Sequence, residues 1–504
     1  MWSFALSILR AIPFLGSFFK EDYESLYSVE EKPLKTTRKV AIIGYGVGGS
    51  SVAYFLHELL GSSVEVHVFG DGKVGGRTGV VEFVGNKYEA GASIIHKKNR
   101  YMSGLSAKFG LKKAELPDGY LGIFDGVKFL YRSSAFSVIS KLKLLWRYGF
   151  GLRKLQIYLN NLLTQFSSIY DLQSKGKSFA DPITMVKAMG SHDMFYRLTQ
   201  VSAEECFSKE LGWGDRIVSE IVSGACRNNY CQDITDITAM VGSVSIAGAQ
   251  DDSLYAIVGG NFQVPMKALE ASTAEVHNAH VTKVSRVVTP DKTSPSFVLN
   301  YTEDEAVGQS EYWDAVIVAC PLETSDIEFE GFDTGSWTSI KKQAFHRTVA
   351  NFIHGKLNPK FFGTDVRNHT FPQTILTTKM KQPAVKFTTI GLNYPVDYTE
   401  QQKADHSKAV AAKDTANIYK IFSSEHLTED QLNLIFSEYT EHTAVDWMAY
   451  PEYVVPENCG TFILNEGLFY INCIEHVSSA MEMSCIGAKN VSLLTKDYLH
   501  KLDQ

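Results

Sequence analysis

The sequence predicts an α/β fold: a Rossmann-like dinucleotide-binding domain assembled from separate stretches of chain, interleaved with an α+β substrate domain. Three observations predict it. An apolar run at 40–43 leads through a glycine-rich turn into a helix, and a second apolar strand follows at 64–69. Short apolar strands recur far along the chain, at 312–321 and 467–475. Buried parallel strands of this kind join one sheet, so distant segments complete the nucleotide-binding fold.

The turn after the first strand carries glycines at 44, 46, 48 and 49, and a second cluster, Gly75-Gly76-Arg77, follows the second strand. Glycine suits a tight turn at 44, close approach of a pyrophosphate at 46 and helix–strand packing at 49. We expect the helix to begin near Ser50, with its N-terminal N–H groups facing phosphate. A glycine turn used only for packing is the alternative, but the strand–turn–helix context favours dinucleotide binding.

Bulk composition narrows the class of protein. The chain has 504 residues, enough for more than one core, and its 44% hydrophobic and 21% charged residues are typical of a globular protein. A net charge of −7 argues against nucleic acid as the main partner. The seven cysteines are scattered without metal-ligand spacing, so we expect no metal. Most should be buried thiols, with a Cys226–Cys231 disulfide as the alternative.

Residues 1–37 are predicted to form a leader ahead of the folded body. Residues 1–19 are largely apolar but are interrupted by Arg10 and Pro13, which argues against a membrane span. A cleaved signal peptide and an amphipathic membrane-surface segment are the two interpretations. Residues 20–37 are rich in Glu and Lys and are expected to be a disordered linker. The chain also contains three N-x-[ST] sequons, at Asn300, Asn368 and Asn490.

Segment 126–170 is basic and contains no acid. Its seven positive residues are Lys128, Arg132, Lys141, Lys143, Arg147, Arg153 and Lys154. Apolar residues recur at helical spacing, at 142, 145 and 146 and again at 155, 159, 162 and 166. A helical lid with a solvated basic face is one interpretation. The other is a monotopic surface that contacts anionic lipid and opens towards an apolar substrate site.

The predicted domains interleave along the chain. The nucleotide-binding domain is expected from 38–112, 250–324 and 456–504, and the substrate domain, with its helical insertion, from 113–249 and 325–455. A simple nicotinamide dehydrogenase would complete its nucleotide-binding fold in one block. Insertions between the pieces favour a large cofactor lying between the two domains, so we predict FAD.

Several runs of sequence resemble the prenylcysteine oxidase family of flavoproteins. They are residues 43–50, 74–77, 88–96, 253–261, 418–423, 449–453 and 470–484. The glycine runs are shared by many flavoproteins, whereas the last run, from Tyr470 to Ser484, is close to family-specific. The resemblance extends from about residue 38 to the C-terminus. It implies an architecture like that of glutathione reductase and the amine oxidases.

The resemblance implies an FAD-dependent thioether oxidase that acts on farnesyl- or geranylgeranyl-cysteine with dioxygen. A hydride would leave the prenyl carbon next to sulfur, water would add, and collapse would give a prenyl aldehyde, cysteine and hydrogen peroxide. The cofactor supplies most of this chemistry, so the protein must orient the C–H bond and keep the site apolar. An endomembrane, lysosomal or secreted location is expected. A flavin amine oxidase and a non-catalytic prenyl-binding homologue are the alternatives.

The resemblance also implies which residues bind FAD. They are Gly44, Gly46, Val47, Gly48, Gly49, Gly75, Gly76 and Arg77 at the pyrophosphate, Gly91, Ala92, Ser93, Ile94 and Ile95 along the flavin, Val281 at adenine, Glu475 at the ribityl or pyrophosphate, and Ala480 and Met481 at the flavin pyrimidine. Glu475 as a surface acid at a strand end is the alternative. His96 is the one candidate catalytic residue, with a structural hydrogen bond as the other interpretation.

One departure from the nucleotide-binding pattern concerns the ribose. An acid about twenty residues after the last glycine commonly binds the adenosine ribose. Here that position is Gly70, and Asp71 follows it. Either Asp71 reaches the ribose through a changed turn, or backbone and water hold the ribose. The second case would weaken FAD binding, because a charge-assisted hydrogen bond contributes roughly 1.5–3 kcal/mol.

Overall fold

The computed structural model describes residues 33–115, 119–134, 136–248, 254–287, 296–332, 337–364, 371–379, 385–412 and 416–504. The first strands in these ranges are β1 (Arg38–Ile43), β2 (Val64–Gly70), β3 (Val80–Phe83), β4 (Asn86–Glu89), β5 (Ile95–His96), β6 (Lys113–Glu115), β7 (Leu121–Phe124), β8 (Phe129–Arg132), β9 (Leu254–Ile257) and β10 (Glu275–Val287). The later strands are β11 (Ser296–Glu303), β12 (Ala306–Gln309), β13 (Ala315–Val318), β14 (Glu328–Glu330), β15 (Phe345–Leu357), β16 (Thr374–Thr377), β17 (Thr389–Leu392), β18 (Asn417–Ser423), β19 (Phe436–Pro451), β20 (Ile463–Asn465) and β21 (Leu468–Tyr470).

The α-helices are α1 (Val47–Leu60), α2 (Arg100–Lys108), α3 (Ser137–Tyr148), α4 (Gly151–Phe166), α5 (Ser168–Ser174), α6 (Pro182–Ala188), α7 (Met194–Leu198), α8 (Ser223–Tyr230), α9 (Ala239–Ala247), α10 (Gln263–Ala271), α11 (Trp337–Ile340), α12 (Glu400–Ala412), α13 (Glu429–Ile435) and α14 (Met481–Leu502). Two π-helical turns cover Glu205–Glu210 and Ile217–Val222. Short 3-10 turns cover Gly61–Ser63, Gly76–Thr78, Pro359–Phe362 and Asn472–His476.

The larger sheet contains the nucleotide-binding strands. Its order is β12-β11-β10-β2-β1-β13-β21-β20, with β14 beside β10. β1 pairs in parallel with β2 on one side and with β13 on the other, and β13 pairs in parallel with β21. The predicted return of segment 312–321 to this sheet is therefore confirmed. The expected strand at 467–475 is shorter, because β21 gives way to a 3-10 turn after Tyr470.

Helix α1 crosses the sheet directly after β1 and packs against α10 and the closing helix α14. It begins at Val47 rather than near Ser50, since Gly46 is the last extended residue, with φ −66° and ψ −170°. Gly48 and Gly49 therefore lie in the first turn of the helix. The sequence predicts a closing helix over 478–499, and the structure has it slightly later, from Met481 to Leu502.

The second sheet has the order β19-β15-β18-β17-β16-β7-β8. It is antiparallel except for the parallel pair of β7 and β16. The acidic run 428–439 predicts a helix, and Thr428 does cap its start. The helix ends at Ile435, however, because the chain from Phe436 onward pairs with β15 along its whole length. Non-local strand pairing here overrides a local helical pattern.

The basic segment forms the helices α3 and α4, as its periodicity predicted. The inner positions of α4 are buried: Leu152, Leu155, Leu159 and Leu162. In contrast, Leu142, Leu145 and Trp146 on α3 are exposed. The sequence also predicts a helical stretch around 183–211, which is interrupted in the structure because Gly190 and Asp193 have positive φ angles.

Residues 33–37 belong to the folded body. The N–H of Lys35 donates to a carboxylate oxygen of Asp503 at 2.7 Å, so the predicted disorder of the linker is wrong for these residues. Residues 1–32, with the expected signal or surface segment, lie outside the described residues. All seven cysteines are free thiols, and six of them are buried. Cys231 accepts a hydrogen bond from Thr388, so the alternative disulfide with Cys226 is not formed.

Candidate functional site

β1 ends in a glycine turn that packs against the chain following β13. Gly44 has a φ of +103°, and a Cβ there would lie 2.9 Å from the carbonyl oxygen of Ala319. A Cβ on Gly49 would lie 1.9 Å from the carbonyl oxygen of Gly44. Both positions therefore exclude a side chain, for the reasons the sequence pattern predicted: a tight turn at Gly44 and close packing at Gly49.

Gly46 differs from these two glycines because the space beside it is open. A Cβ on Gly46 would meet none of the described atoms within 4 Å. Gly46 is also the N-cap of α1, and no described side chain caps the first turn by accepting from its N–H groups. These groups, from Val47 onward, therefore face the opening with the positive end of the helix dipole behind them. A phosphate requires this geometry.

The second glycine cluster lies directly beside the first. Gly46 and Gly75 form an isolated parallel bridge, and a Cβ on Gly76 would lie 3.3 Å from Cα of Gly46. The two turns, residues 44–49 and 75–77, therefore form one continuous surface, which we call the glycine cradle. Two motifs that the sequence predicted to act together are thus brought together.

Arg77 and Glu475, both predicted to contact FAD, form an ion pair with each other. Nη1 and Nη2 of Arg77 donate to the two carboxylate oxygens at 2.7 and 2.5 Å, and Nη1 also donates to the carbonyl oxygen of Ala449 at 2.7 Å. Asn472 and Ser479 donate to the same carboxylate. Burial opposes ionisation of Glu475, but Arg77 and, less strongly, the hydrogen bonds from Asn472 and Ser479 together hold the pKa of Glu475 below its usual value. The alternative of a surface acid is wrong, while phosphate contacts of this pair stay predictions.

The residue after Glu475 adds a second buried charge network. His476 contacts Glu457 through Nδ1 and Glu323 through Nε2, each at 2.9 Å. Tyr470 donates a further hydrogen bond to Glu323 at 2.9 Å. Burial opposes the positive charge, but the two carboxylates raise the pKa of His476 to about 9. The imidazolium is therefore a structural cross-link between the end of β21, the chain after β13 and the chain after β19.

The predicted flavin-lining residues 91–95 run close beside the cradle. A Cβ on Gly91 would lie 2.1 Å from a carbonyl oxygen of the cradle and 2.8 Å from the ring of Trp447. The side chain of Asn261 donates to the carbonyl oxygen of Ala92 at 3.0 Å, which fixes the segment from the other side. Only glycine therefore permits this close approach at position 91.

His96 is buried at the end of that segment. Its Nδ1 accepts a hydrogen bond of 3.0 Å from the N–H of Lys98. Burial, followed by the charges of the nearby lysines, lowers the pKa of His96 to about 3, so the ring is neutral. Since Nδ1 is an acceptor, the proton is on Nε2, which lies buried without a partner among the described residues. The hydrogen bond through Nδ1 is structural, and Nε2–H is the atom that a ligand would meet.

Ala480 and Met481 stand at the start of α14, as predicted. Ala480 is the extended N-cap of the helix, and no described side chain there accepts from the first turn. The side chain of Glu482, which follows Met481, does not cap α14. It accepts hydrogen bonds from the backbone N–H groups of Tyr101 and Met102 at 2.8 and 2.9 Å. The N–H groups at the start of α14 therefore lack a side-chain cap, as those of α1 do.

The structure gives a physical reason for the missing ribose acid. A Cβ on Gly70 would lie 2.6 Å from the ring of Tyr45, so Tyr45 occupies the space that a side chain at position 70 would fill. The carboxylate of Asp71 accepts from Nδ1 of His280 at 2.8 Å, and Nε2 of His280 contacts Asp326. The nearest acid is thus already paired with a histidine. Ribose binding by Asp71 stays a prediction.

Strand β10, which carries His280, also carries Val281 and two of three possible metal ligands, the third being on β2. Val281 is buried and pairs with β11 just before a bulge. His67, Glu275 and His277 have metal-like spacing. Nδ1 of His67 and Nε2 of His277 lie 2.9 Å apart, however, with ring planes within 9° and centroids 5.2 Å apart. The two nitrogens therefore point at each other across a shared proton, and we interpret the pair as a hydrogen bond.

Sequence reasoning missed several residues that shape this site, chiefly Tyr45, Trp447, Asn261 and His280. Each acts through a contact with a residue distant in sequence. Asn261 closes one glycine-rich run that resembled the family, and Tyr45 lies within another, so these two had a signal in the sequence. Trp447 and His280 carry no local pattern.

Comparison with known proteins identifies the family. The family described as prenylcysteine lyase matches residues 131–504. Prenylcysteine oxidase 1 of Bos taurus is 34% identical over 490 residues, covering 95% of this chain and 93% of the relative. The chain belongs to the prenylcysteine lyase family. Prenylcysteine oxidase 1 of Homo sapiens is 33% identical over 467 residues, covering 90% of this chain and 88% of the relative.

Solved structures of other proteins share the fold of this chain. A double mutant of putrescine oxidase superposes with a TM-score of 0.58 at 13% identity, covering 92% of this chain and 99% of that chain. The predicted amine-oxidase-like architecture is therefore confirmed. The predictions of an oxidase and of FAD as its cofactor are confirmed by family and fold together. Among the described residues, no helix is long and apolar enough to cross a membrane.

The residues present fit FAD. The glycine cradle leaves room for a pyrophosphate at the start of α1, and the N–H groups at the start of α14 lack a side-chain cap. Gly91 lets the chain pass close between the cradle and Trp447. The cradle would hold the pyrophosphate, segment 91–95 would lie along the flavin, and the start of α14 would meet its polar edge.

Proposed function

We propose that this protein catalyses the oxidative cleavage of S-prenyl-L-cysteine, with a farnesyl or geranylgeranyl group on sulfur. The balanced reaction consumes one dioxygen and one water and gives a prenyl aldehyde, cysteine and hydrogen peroxide. The chemistry that bound FAD would supply is hydride acceptance from the prenyl carbon next to sulfur, with dioxygen as the final electron acceptor. The observation that carries the substrate assignment is the match to relatives named prenylcysteine oxidase 1 over 95% of this chain.

The chain's own residues serve mainly to bind and orient. The glycine cradle binds the dinucleotide, while the Arg77–Glu475 pair ties the cradle to the chain beside α14. Water adds to the oxidised prenyl carbon, the C–S bond breaks, and the thiol proton comes from the added water. Holding the C–H bond in line therefore matters more than a strong acid or base.

The test uses purified full-length protein. Flavin absorbance near 450 nm, followed by peroxide release on adding farnesylcysteine but not benzylamine, is the expected result. Peroxide from benzylamine alone would favour the amine oxidase alternative. A colourless preparation that cannot be reconstituted with FAD, yet binds farnesylcysteine, would favour the non-catalytic alternative. Gly46→Ala, which fills the opening of the cradle, is the matched control and should give neither flavin nor peroxide.

We also propose that the protein occupies the endomembrane or lysosomal system or is secreted. The apolar residues 1–19 support this location. Of the sequons, Asn490 is fully buried, with its side chain hydrogen-bonded to the backbone of Phe179, so it is not available for glycosylation. Asn368 lies outside the described residues. Cell fractionation with a lysosomal marker tests the location, and a purely cytosolic protein without added glycan would contradict it.

A further inference from the structure

The helices α3 and α4 carry an apolar surface that faces solvent. Trp146 is 87% exposed and Phe150 79% exposed, which is unusual for large apolar side chains. The exposed apolar residues of this surface are Phe136, Val138, Ile139, Leu142, Leu145, Trp146, Phe150 and Ile157. We call these eight residues the apolar face. Contiguous exposed apolar patches on a folded protein mark an interaction site.

The apolar face is separate from the apolar residues with which the same helices pack against the protein core. Leu144, Tyr148, Leu152 and Leu155, on the opposite sides of the same helices, are buried. The exposed residues of α3 recur at helical spacing and so share one side of the helix. α3 therefore has two apolar sides, one facing the protein core and one facing solvent.

The charged residues that segment 126–170 itself contributes are all positive. Lys141 and Lys143 lie on α3, and Arg153 lies on α4, all exposed, and segment 126–170 contains no acid. Arg147 is different, because its guanidinium donates to both carboxylate oxygens of Glu220 at 2.7 Å. Its charge is used within the protein. Lys141 and Lys143 flank the exposed apolar stripe of α3 on its two sides, by their helical spacing.

We propose that the apolar face docks on an anionic lipid surface, with the aromatic residues in the interface and the lysines against the headgroups. Tryptophan and phenylalanine at the tip of an amphipathic helix, bordered by lysine and arginine, are the composition of a monotopic membrane contact. At 12 residues α3 is too short to cross a bilayer, so the helix lies in the surface plane. The proposal does not depend on the reaction assigned above.

The first experiment is co-sedimentation of the full chain with vesicles of phosphatidylcholine, with and without phosphatidylserine. Lys141→Gln with Lys143→Gln should lower binding to the anionic vesicles by about 25-fold, at about fivefold for each lysine. Leu142→Ser with Trp146→Ser should lower it by about tenfold or more. The control substitutions Lys342→Gln with Lys501→Gln, and Val307→Ser, lie at exposed positions elsewhere and should change nothing.

A second experiment separates this surface from the apolar residues 1–19. A polarity-sensitive dye on Leu142→Cys should shift to the blue on anionic vesicles, while the same dye on Val307→Cys should not. Unchanged sedimentation of both double variants, or no shift at 142, would overturn the proposal. So would a dimer in solution that Trp146→Ser converts to monomer, since the face would then be an interface between copies. Unaltered thermal unfolding of each variant shows that folding is intact.

Discussion

Glu475→Gln tests whether the Arg77–Glu475 pair holds the cofactor-binding body together. Glutamine keeps the volume of glutamate but removes the charge that faces the guanidinium. Removing one partner of a buried ion pair costs about 3–5 kcal/mol, because the other charge stays buried and unpaired. The Arg77 side chain is 32% exposed, so water relieves part of this penalty. We therefore expect a loss of about 2–3 kcal/mol in the free energy of unfolding.

The assay is urea unfolding of the flavin-free protein, followed by intrinsic fluorescence. Asp446→Asn is the matched control, since Asp446 pairs with Arg347 in similar geometry on the surface. A solvent-exposed ion pair contributes little to stability, so this variant should be nearly neutral. Adding Arg77→Met to Glu475→Gln should recover about 1–3 kcal/mol of the expected sum of the two single losses.

The pH dependence of the free energy of unfolding gives an independent check that the charge of Glu475 stabilises the protein. The pKa of Glu475 is lowered in the folded protein, so its contribution is present above the unfolded pKa of about 4.3. It is lost as the pH falls through the lower, folded value. The difference between Glu475→Gln and wild type should therefore shrink in acid. A variant within about 0.5 kcal/mol of wild type at pH 7, or a difference that grows in acid, would refute the reasoning.

Three further predictions follow from the same site. Gly49→Ala should lower both stability and flavin retention because its Cβ would overlap a carbonyl oxygen, whereas Gly46→Ala should lower only flavin retention. The urea midpoint measures stability and the 450 nm absorbance measures flavin retention. Equal losses of stability in the two variants would contradict this prediction. Asp71→Ala should weaken FAD retention in a dialysis assay, and unchanged retention would show that the ribose is held otherwise. The pKa of His476 is raised to about 9 in the folded protein, so its charge should stabilise the protein below pH 6.5, and this stabilisation should disappear as the pH rises through 9. The resulting loss in the free energy of unfolding, on the order of 3 kcal/mol, should be absent in His476→Gln.

The cradle could be predicted from the sequence because its geometry is local. Gly44 is a glycine because its positive φ of +103° is strained for any other residue, and Gly49 is a glycine because its Cβ would overlap the carbonyl oxygen of Gly44 within the same turn. A spacing pattern is sufficient to detect that constraint. The parallel return of β13 was likewise predictable, because a short apolar run ended by proline has few other places in an α/β sheet.

Features set by contacts across the chain could not be predicted. The absence of an acid at Gly70 looked like a weakened site, whereas the ring of Tyr45 fills the position. That contact depends on how β1 and β2 pair, which no local pattern encodes. The same limit applies to Ile435, where pairing with β15 ends a helix whose own sequence would continue. The predicted pairing of Glu475 with FAD overlooked Arg77, a partner about 400 residues away.

The central position of β1 has a consequence for synthesis of the chain. β1 is made early, but its neighbour on one side, β13, follows roughly 270 residues later. At a synthesis rate of about 5–20 residues per second, one edge of the apolar strand β1 stays without its native partner for roughly 15–50 seconds. An unpaired edge of this kind recruits other strands. The nascent chain therefore needs protection at β1 until the middle of the protein emerges, and slower elongation before residue 315 should raise the aggregated fraction.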